Sequence, residues 1–142
     1  MFKKHLFLYG SLLGNIKEEK VEKMFKDNCH FITKGFILGK LYDLGEYPGA
    51  IPTTNKDDKV FGKIFWVKHP RRTFRILDEY EEYFPKNPKK SLFIRCKTKA
   101  YLLPSENNIK CWTYFYNQKI DKEPQINSGN YLKNSMVGKN NL

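Results

Sequence analysis

The segment FRILDEYEEYF, Phe74 to Phe84, sets four acids among apolar and aromatic residues. Wound as a helix at about 100° per residue, it gathers Phe74, Ile76, Leu77 and Tyr80 on one broad arc. Arg75, Glu79 and Glu82 cluster on the opposite side, and Asp78 lies at the boundary. Glu81 does not join them: it projects between Leu77 and Phe74, inside the apolar arc. A carboxyl there has two readings of equal weight. It is a helix-end acid without chemical consequence, or a group whose pKa burial lifts toward neutrality, where a carboxyl serves as a proton shuttle.

A second place that could do chemistry is YGSLL, Tyr9 to Leu13. A strand ends in Tyr9, turns through Gly10 and Ser11, and gives way to helical residues soon after. Glycine lets backbone approach a ligand closely, and successive amide N–H groups in such a turn can point at an anion. Taken alone, the stretch is more simply an ordinary strand-to-loop turn. Other chemistries lack their signatures. There is no G-x-x-x-x-G-K-[ST] phosphate loop, no G-x-G-x-x-G and no G-x-S-x-G. Cys29, Cys96 and Cys111 are odd in number and without C-x-x-C spacing, which argues against a disulfide framework or a zinc site and suits a reducing, cytoplasmic setting. His5, His30 and His69 are far apart and show no metal-ligand spacing. No metal is expected.

The elements that must position these residues follow from pattern. HLFLY, His5 to Tyr9, reads as a buried strand, and IKEEKVEKMFKDN from Ile16 as an amphipathic helix presenting Val21, Met24 and Phe25. FITKGFILGKLYDLG supplies strand material in which Gly35 and Gly39 suggest a bulge or bend. GEYPGAIPTTNKDDK reads as a loop on its glycines and prolines. VFGKIFWV, Val60 to Val67, is a strand, and Pro70 opens the helix that carries Glu81. FIRCKTKAYLL alternates strictly and CWTYFY is an aromatic strand, with PSENNIK connecting them. Five or so strands and two helices in the order β-α-β-β-α-β-β predict an α+β domain built on a strongly curved sheet or small mixed β-barrel. One domain over 1–133 and a polar tail over 134–142 are expected.

The 142 residues are enough for one sizeable core, and no apolar run reaches the ~20 residues of a membrane helix. A net charge of +11 raises nucleic acid or another acidic partner, but a lysine- and asparagine-rich composition accounts for it more simply. Nothing in the sequence fixes an oligomeric state.

Seven short motifs occur in one order: LFLYGSLL, GKLYDLGEYPGAIP, VFGKIFWV, LDEYEEYF, the arginine of LFIR, CWTYFY and INSGNY. Together they resemble the γ-glutamylcyclotransferase-like family, over roughly Leu6 to Tyr131. The resemblance implies a small mixed barrel whose cavity is lined by the Y-G-[ST]-L loop and by a glutamate of the L-D-x-x-E helix, which falls on Glu81. It implies cofactor-independent chemistry on a small γ-glutamyl compound, releasing 5-oxoproline and a free amine or amino acid, with Glu81 as general acid/base. Tyr9, Gly10, Ser11 and Leu12 match the loop and Tyr47 and Pro48 the YPG segment, all expected at the substrate. Tyr114 and Tyr116 of the aromatic strand are expected either to line the cavity or to pack in the core, and Arg95 to serve structure or the rim.

Three departures stand out. Phe93 replaces a common tyrosine, SGNY at Ser128–Tyr131 replaces SGDW, and PKNPKK puts a basic loop near the expected cavity mouth. Two other readings compete: a module that holds a small metabolite without turning it over, and a basic nucleic-acid binder. Glu81 speaks against the first; the composition bias speaks against the second.

Overall fold

Strands rich in Val, Ile, Phe and Tyr, several of them buried on both faces, close on one another rather than lie flat. A computed structural model of the chain describes residues 4–13 and 16–131. Its strands are β1 (Lys4–Leu8), β2 (Cys29–Asp43), β3 (Pro48–Pro52), β4 (Lys59–Val67), β5 (Phe93–Leu102) and β6 (Asn108–Tyr116). The helices are α1 (Glu19–Asn28) and α2 (Pro70–Tyr80), with 3-10 turns at Ser11–Leu13 and Pro88–Lys90. The sheet runs β3-β2-β4-β1-β6-β5, and β2 pairs again with β5 to close a five-stranded barrel from which β3 extends. All pairings are antiparallel except β1 with β6. The predicted α+β barrel with two helices is therefore what forms.

Alternation splits the apolar side chains into two cores. Phe7 of β1, Tyr9 just after it, Ile64 of β4 and Phe115 of β6 meet inside the barrel. Leu6, Leu8, Phe65 and Tyr114 point the other way, where Val21 of α1 and Phe74 and Leu77 of α2 cover them. Both helices thus lie on one side of the barrel, and α2 ends beside the C-terminus of β1.

Two expectations need correction. The GEYPGAIP stretch is not all loop: Pro48–Pro52 pairs with Gly39–Asp43 as β3. Prolines at both ends of a strand are tolerated because β3 lies at the sheet edge, where missing N–H donors cost no ladder bond. The bulge in β2 falls between Phe31 and Thr33, not at the glycines. Gly35 instead permits barrel closure: a Cβ there would lie 2.4 Å from the Tyr101 carbonyl oxygen of β5. Gly35→Ala is expected to cost about 2 kcal/mol or more, since backbone rather than a pliable side chain must yield. Urea unfolding checks this; an unchanged midpoint would contradict it. The tail expected from Asn134 lies outside the described residues.

Candidate active site

The site forms where β1, the edge strand β3 and the end of α2 converge. Tyr9 follows β1 directly. Its hydroxyl donates to the Tyr114 carbonyl of β6 and accepts the Ala50 N–H of β3 at 3.1 Å, tying three strand ends together. Burial pushes this phenol far above its ordinary range, the Ala50 bond opposes that, and the charge of Glu81 adds to it. Gly10 comes next because a Cβ would meet the Pro48 ring at 2.9 Å. The chain then turns through Ser11–Leu13, where the Leu13 N–H donates to the Gly10 carbonyl at 2.9 Å. The Ser11 side chain lies outside the described set.

Helix α2 stops one residue short of Glu81. The Glu81 N–H still donates to the Leu77 carbonyl at 2.9 Å, so the side chain keeps its helical direction on the apolar arc. Glu82 then takes φ 56°, its N–H donating to Glu79 O and that of Tyr83 to Asp78 O. This is a Schellman cap, in which the left-handed position is usually glycine. Glu79 and Glu82 are exposed, as the wheel predicts. Glu81 is half-buried, and loss of water around its carboxyl, joined by the nearby charge of Glu82, pushes it up to about 7.

Asp78 is the residue that pattern reading left at the boundary. It is buried, 7 % exposed, and fully engaged. Asp78 accepts Arg95 Nε at 2.8 Å, Arg95 Nη2 at 3.2 Å and the Tyr114 hydroxyl at 2.7 Å. The Arg95 guanidinium lies 4.5 Å from the ring centroids of both Phe74 and Trp112. A carboxylate–guanidinium fork between aromatic rings fixes α2 against β5 and β6 one turn before Glu81. Burial and the adjoining Asp78 also push the Tyr114 phenol far upward. Neither Tyr9 nor Tyr114 therefore titrates near neutral pH, whereas Glu81 does.

These elements enclose a cavity of about 200 Å³. Its deep wall is Leu8, Tyr9, Leu12, Pro48, Phe93 and Tyr114, all buried, with Gly10, Tyr47, Tyr80 and Glu81 alongside. Lys17, Glu46 and Glu82 are exposed at its lip. That volume is about seven waters' worth at liquid density, enough for an amino-acid-sized group with the rest of a ligand outside. Of the expected substrate residues, Tyr9, Gly10, Leu12, Tyr47, Pro48 and Tyr114 line this cavity with Glu81. Tyr116 does not: it is absent from the lining, its ring 5.6 Å from that of Phe93. Lys86, Lys89 and Lys90 of the basic loop are also absent from the lining. Sequence reading missed Lys17 and Glu46: the helix expected from Ile16 starts only at Glu19, which leaves Lys17 in the preceding loop, and Glu46 lies in the turn before β3.

Of the three departures, only Phe93 reaches the cavity, its ring 5.9 Å from that of Tyr47. The SGNY segment packs on the barrel's other core, with Gly129 O accepting the Phe61 N–H at 2.7 Å. The cysteines are free thiols outside the cavity, and burial pushes Cys29 and Cys111 up to about 12.

Residues 6–133 match the family model described as gamma-glutamyl cyclotransferase, AIG2-like. The chain belongs to this γ-glutamyl cyclotransferase family. It is 31% identical over 119 residues to the gamma-L-glutamyl-butirosin B gamma-glutamyl cyclotransferase of Niallia circulans, covering 83% of this chain and 70% of that one. A gamma-glutamylcyclotransferase family protein of Citrobacter rodentium is 27% identical over 134 residues, 89% of this chain and 94% of its own. Among solved structures, an AIG2-like protein from Mus musculus superposes with a TM-score of 0.65 at 22% identity, covering 86% of this chain and 82% of that one. A protein of uropathogenic E. coli reaches 0.69 at 13% identity, covering 96% and 98%. These two share the family fold.

Proposed function

We propose that the cavity catalyses γ-glutamyl cyclotransfer with Glu81 as the acid/base. The observation that carries this reading is a carboxyl with a pKa about 7, facing a cavity whose tyrosine hydroxyls stay protonated. In the reaction the substrate's α-nitrogen bonds to its own γ-carbonyl carbon, and the γ-amide C–N bond breaks. The products are 5-oxoproline and the free amine. Two protons leave the α-nitrogen, which goes from an ammonium to a lactam N–H, and two reach the leaving nitrogen, which departs as an ammonium. Glu81 relays them in turn, so nothing is consumed. The nucleophile is already attached to the electrophile, and the cavity's share is to fold the chain into a ring-closing shape. Amine attack needs a base, and an amide nitrogen leaves poorly without an acid; one carboxyl near neutrality does both in turn. To the Ser11 and Leu12 N–H groups, first in their turn and so outside its i to i+3 ladder, we assign the α-carboxylate or the developing oxyanion.

The test is a panel of γ-glutamyl amino acids and γ-glutamyl amines assayed for 5-oxoproline and amine in equal amounts. Equal release from at least one member supports the reading; none from any member overturns it. The same assay across pH gives a further expectation. The reactive pair is an ionised Glu81 and a substrate ammonium, so kcat/KM should rise with pH through about 7 and fall again as the free substrate loses its proton. A lower limb near the ordinary carboxylate value would exclude Glu81 as the base.

A further inference from the structure

Composition explains how much positive charge the chain carries but not where it sits. Of its 15 acids, Asp43 is the only one in a described strand; the others lie on helices, at their ends or in loops. The outward side of the barrel is correspondingly basic. Lys34 of β2 stands directly opposite Lys63 of β4, and Lys99 of β5 directly opposite Lys110 of β6. Ile64, Ala100 and Cys111 fill the interior, so the lysines beside them point outward. The two pairs flank a cross-strand row of rings, Phe61, Phe36 and Tyr101. Lys97 follows on the same side of β5, its Nζ 5.2 Å from the Trp112 ring centroid.

Helix α2 extends this band. Phe74 packs against the same Trp112 ring at 6.2 Å, and the first turn of the helix carries Arg71 and Arg72, both exposed, with no acid. Like charges opposed across a sheet repel, and cations at a helix start oppose the macrodipole. Among the described residues none of these cations joins an ion pair. Both arrangements destabilise the chain on its own, and both are relieved when a polyanion lies across the face. The half-buried rings of Tyr101 and Trp112 narrow the choice of polyanion. Bases stack on open aromatic surface while lysines take the phosphates, and an unpaired strand offers both. Lys97 and Lys99 are about 6.6 Å apart along β5, near the separation of successive phosphates in an extended strand. None of these residues lines the active-site cavity.

We propose that this face, from Lys34 and Lys63 across Lys99 and Lys110 to the first turn of α2, binds single-stranded nucleic acid. Its contacts are to phosphates and base faces, so it takes DNA or RNA with little regard to sequence. It works independently of the cavity and of any turnover there.

Labelled oligothymidylate and oligouridylate of about 20 nucleotides test this by fluorescence anisotropy with the full chain. Both should bind at ~50 mM salt. At ~150 mM salt binding should be about twentyfold weaker, the loss expected for about four phosphates neutralised on a single strand. Lys97→Gln, Lys99→Gln and Lys110→Gln together should weaken both probes about tenfold and flatten the salt dependence. The Tm of this variant should be no lower than that of the wild type, because one repelling pair is gone. Lys20→Gln, Lys23→Gln and Lys122→Gln together remove as much charge from positions that neighbour acids in the chain, and should change binding less than about twofold. Tyr101→Leu should weaken the single strands about fivefold, through one lost stack. A duplex of the same length, its bases stacked inside, should bind more weakly than either probe. Equal losses in the two triple variants would reduce the binding to net charge and overturn the proposal. So would a duplex bound as tightly as a single strand, or polyglutamate of equal charge competing as well as the oligonucleotides. Capture by phosphatidylserine vesicles without oligonucleotide binding, or no binding at ~50 mM salt, would overturn it as well.

Discussion

Glu81→Gln should lower kcat for 5-oxoproline release about a thousandfold, with KM changed by no more than a few-fold. General acid–base groups contribute roughly a hundred- to ten-thousandfold, and here one side chain serves both proton transfers, which argues for the middle of that range or above. Gln matches the size and polarity of the carboxyl but neither accepts nor returns a proton. The same variant carries an internal control in its stability. With a folded pKa about 7 against the ordinary 4.5, the native state holds its proton more tightly than the unfolded chain. Stability from this group is therefore fully present below about pH 4.5 and is lost as pH rises to 7. Replacing Glu81 by Gln removes that loss, and the variant should be more stable than the wild type above neutrality by up to ~3 kcal/mol. Lost turnover together with gained stability at high pH marks a group held for chemistry. Lost turnover with lost stability would mark Glu81 as structural.

Arg95→Ala should destabilise the fold by ~3 kcal/mol, the largest effect expected from any exchange of a polar residue here. The Arg95 and Asp78 side chains are only 19% and 10% exposed. Removing the guanidinium leaves Asp78 buried with the Tyr114 hydroxyl as its one side-chain donor. It also removes the cation stacked on Phe74 and Trp112. Tyr114→Phe should cost less, ~1 kcal/mol, because Arg95 still satisfies Asp78. Because Asp78 is one helical turn before Glu81, Arg95→Ala should also lower kcat in proportion to the drift of the helix end, while the lower pH limb stays near 7. Chemical denaturation and a pH profile of the same variant check both. A cost under ~0.5 kcal/mol would show the pair to be replaceable by water.

Local patterns exposed most of this fold. Pattern placed β1, β4, β5, β6 and both helices: short apolar runs mark the strands buried on both faces, and a single period marks β5 and the helices. β3 escaped because its evidence is its partner: Pro48–Pro52 becomes a strand only by pairing with the end of β2, and prolines and glycines hide that locally. The same limit applies at the site. Glu81 is legible on a helical wheel since its neighbours in the chain are its neighbours in space. Asp78 is not, because its burial is decided by Arg95, seventeen positions away and on another element. Glu46 and Lys17 sit in loops, where no period announces which way a side chain turns. Tyr116 shows the converse error. Being two residues from Tyr114 on one strand puts both on the same face, but only Tyr114 is level with the cavity.

A cavity that closes a ring differs from one that hydrolyses an amide in where oxygen from water ends up, so turnover in water labelled with heavy oxygen separates the two. With a γ-glutamyl amide as substrate, 5-oxoproline should be free of label, released with an equal amount of amine by the wild type and lost in Glu81→Gln. Labelled glutamate as the first product, or label-free 5-oxoproline formed equally well by Glu81→Gln, would contradict it.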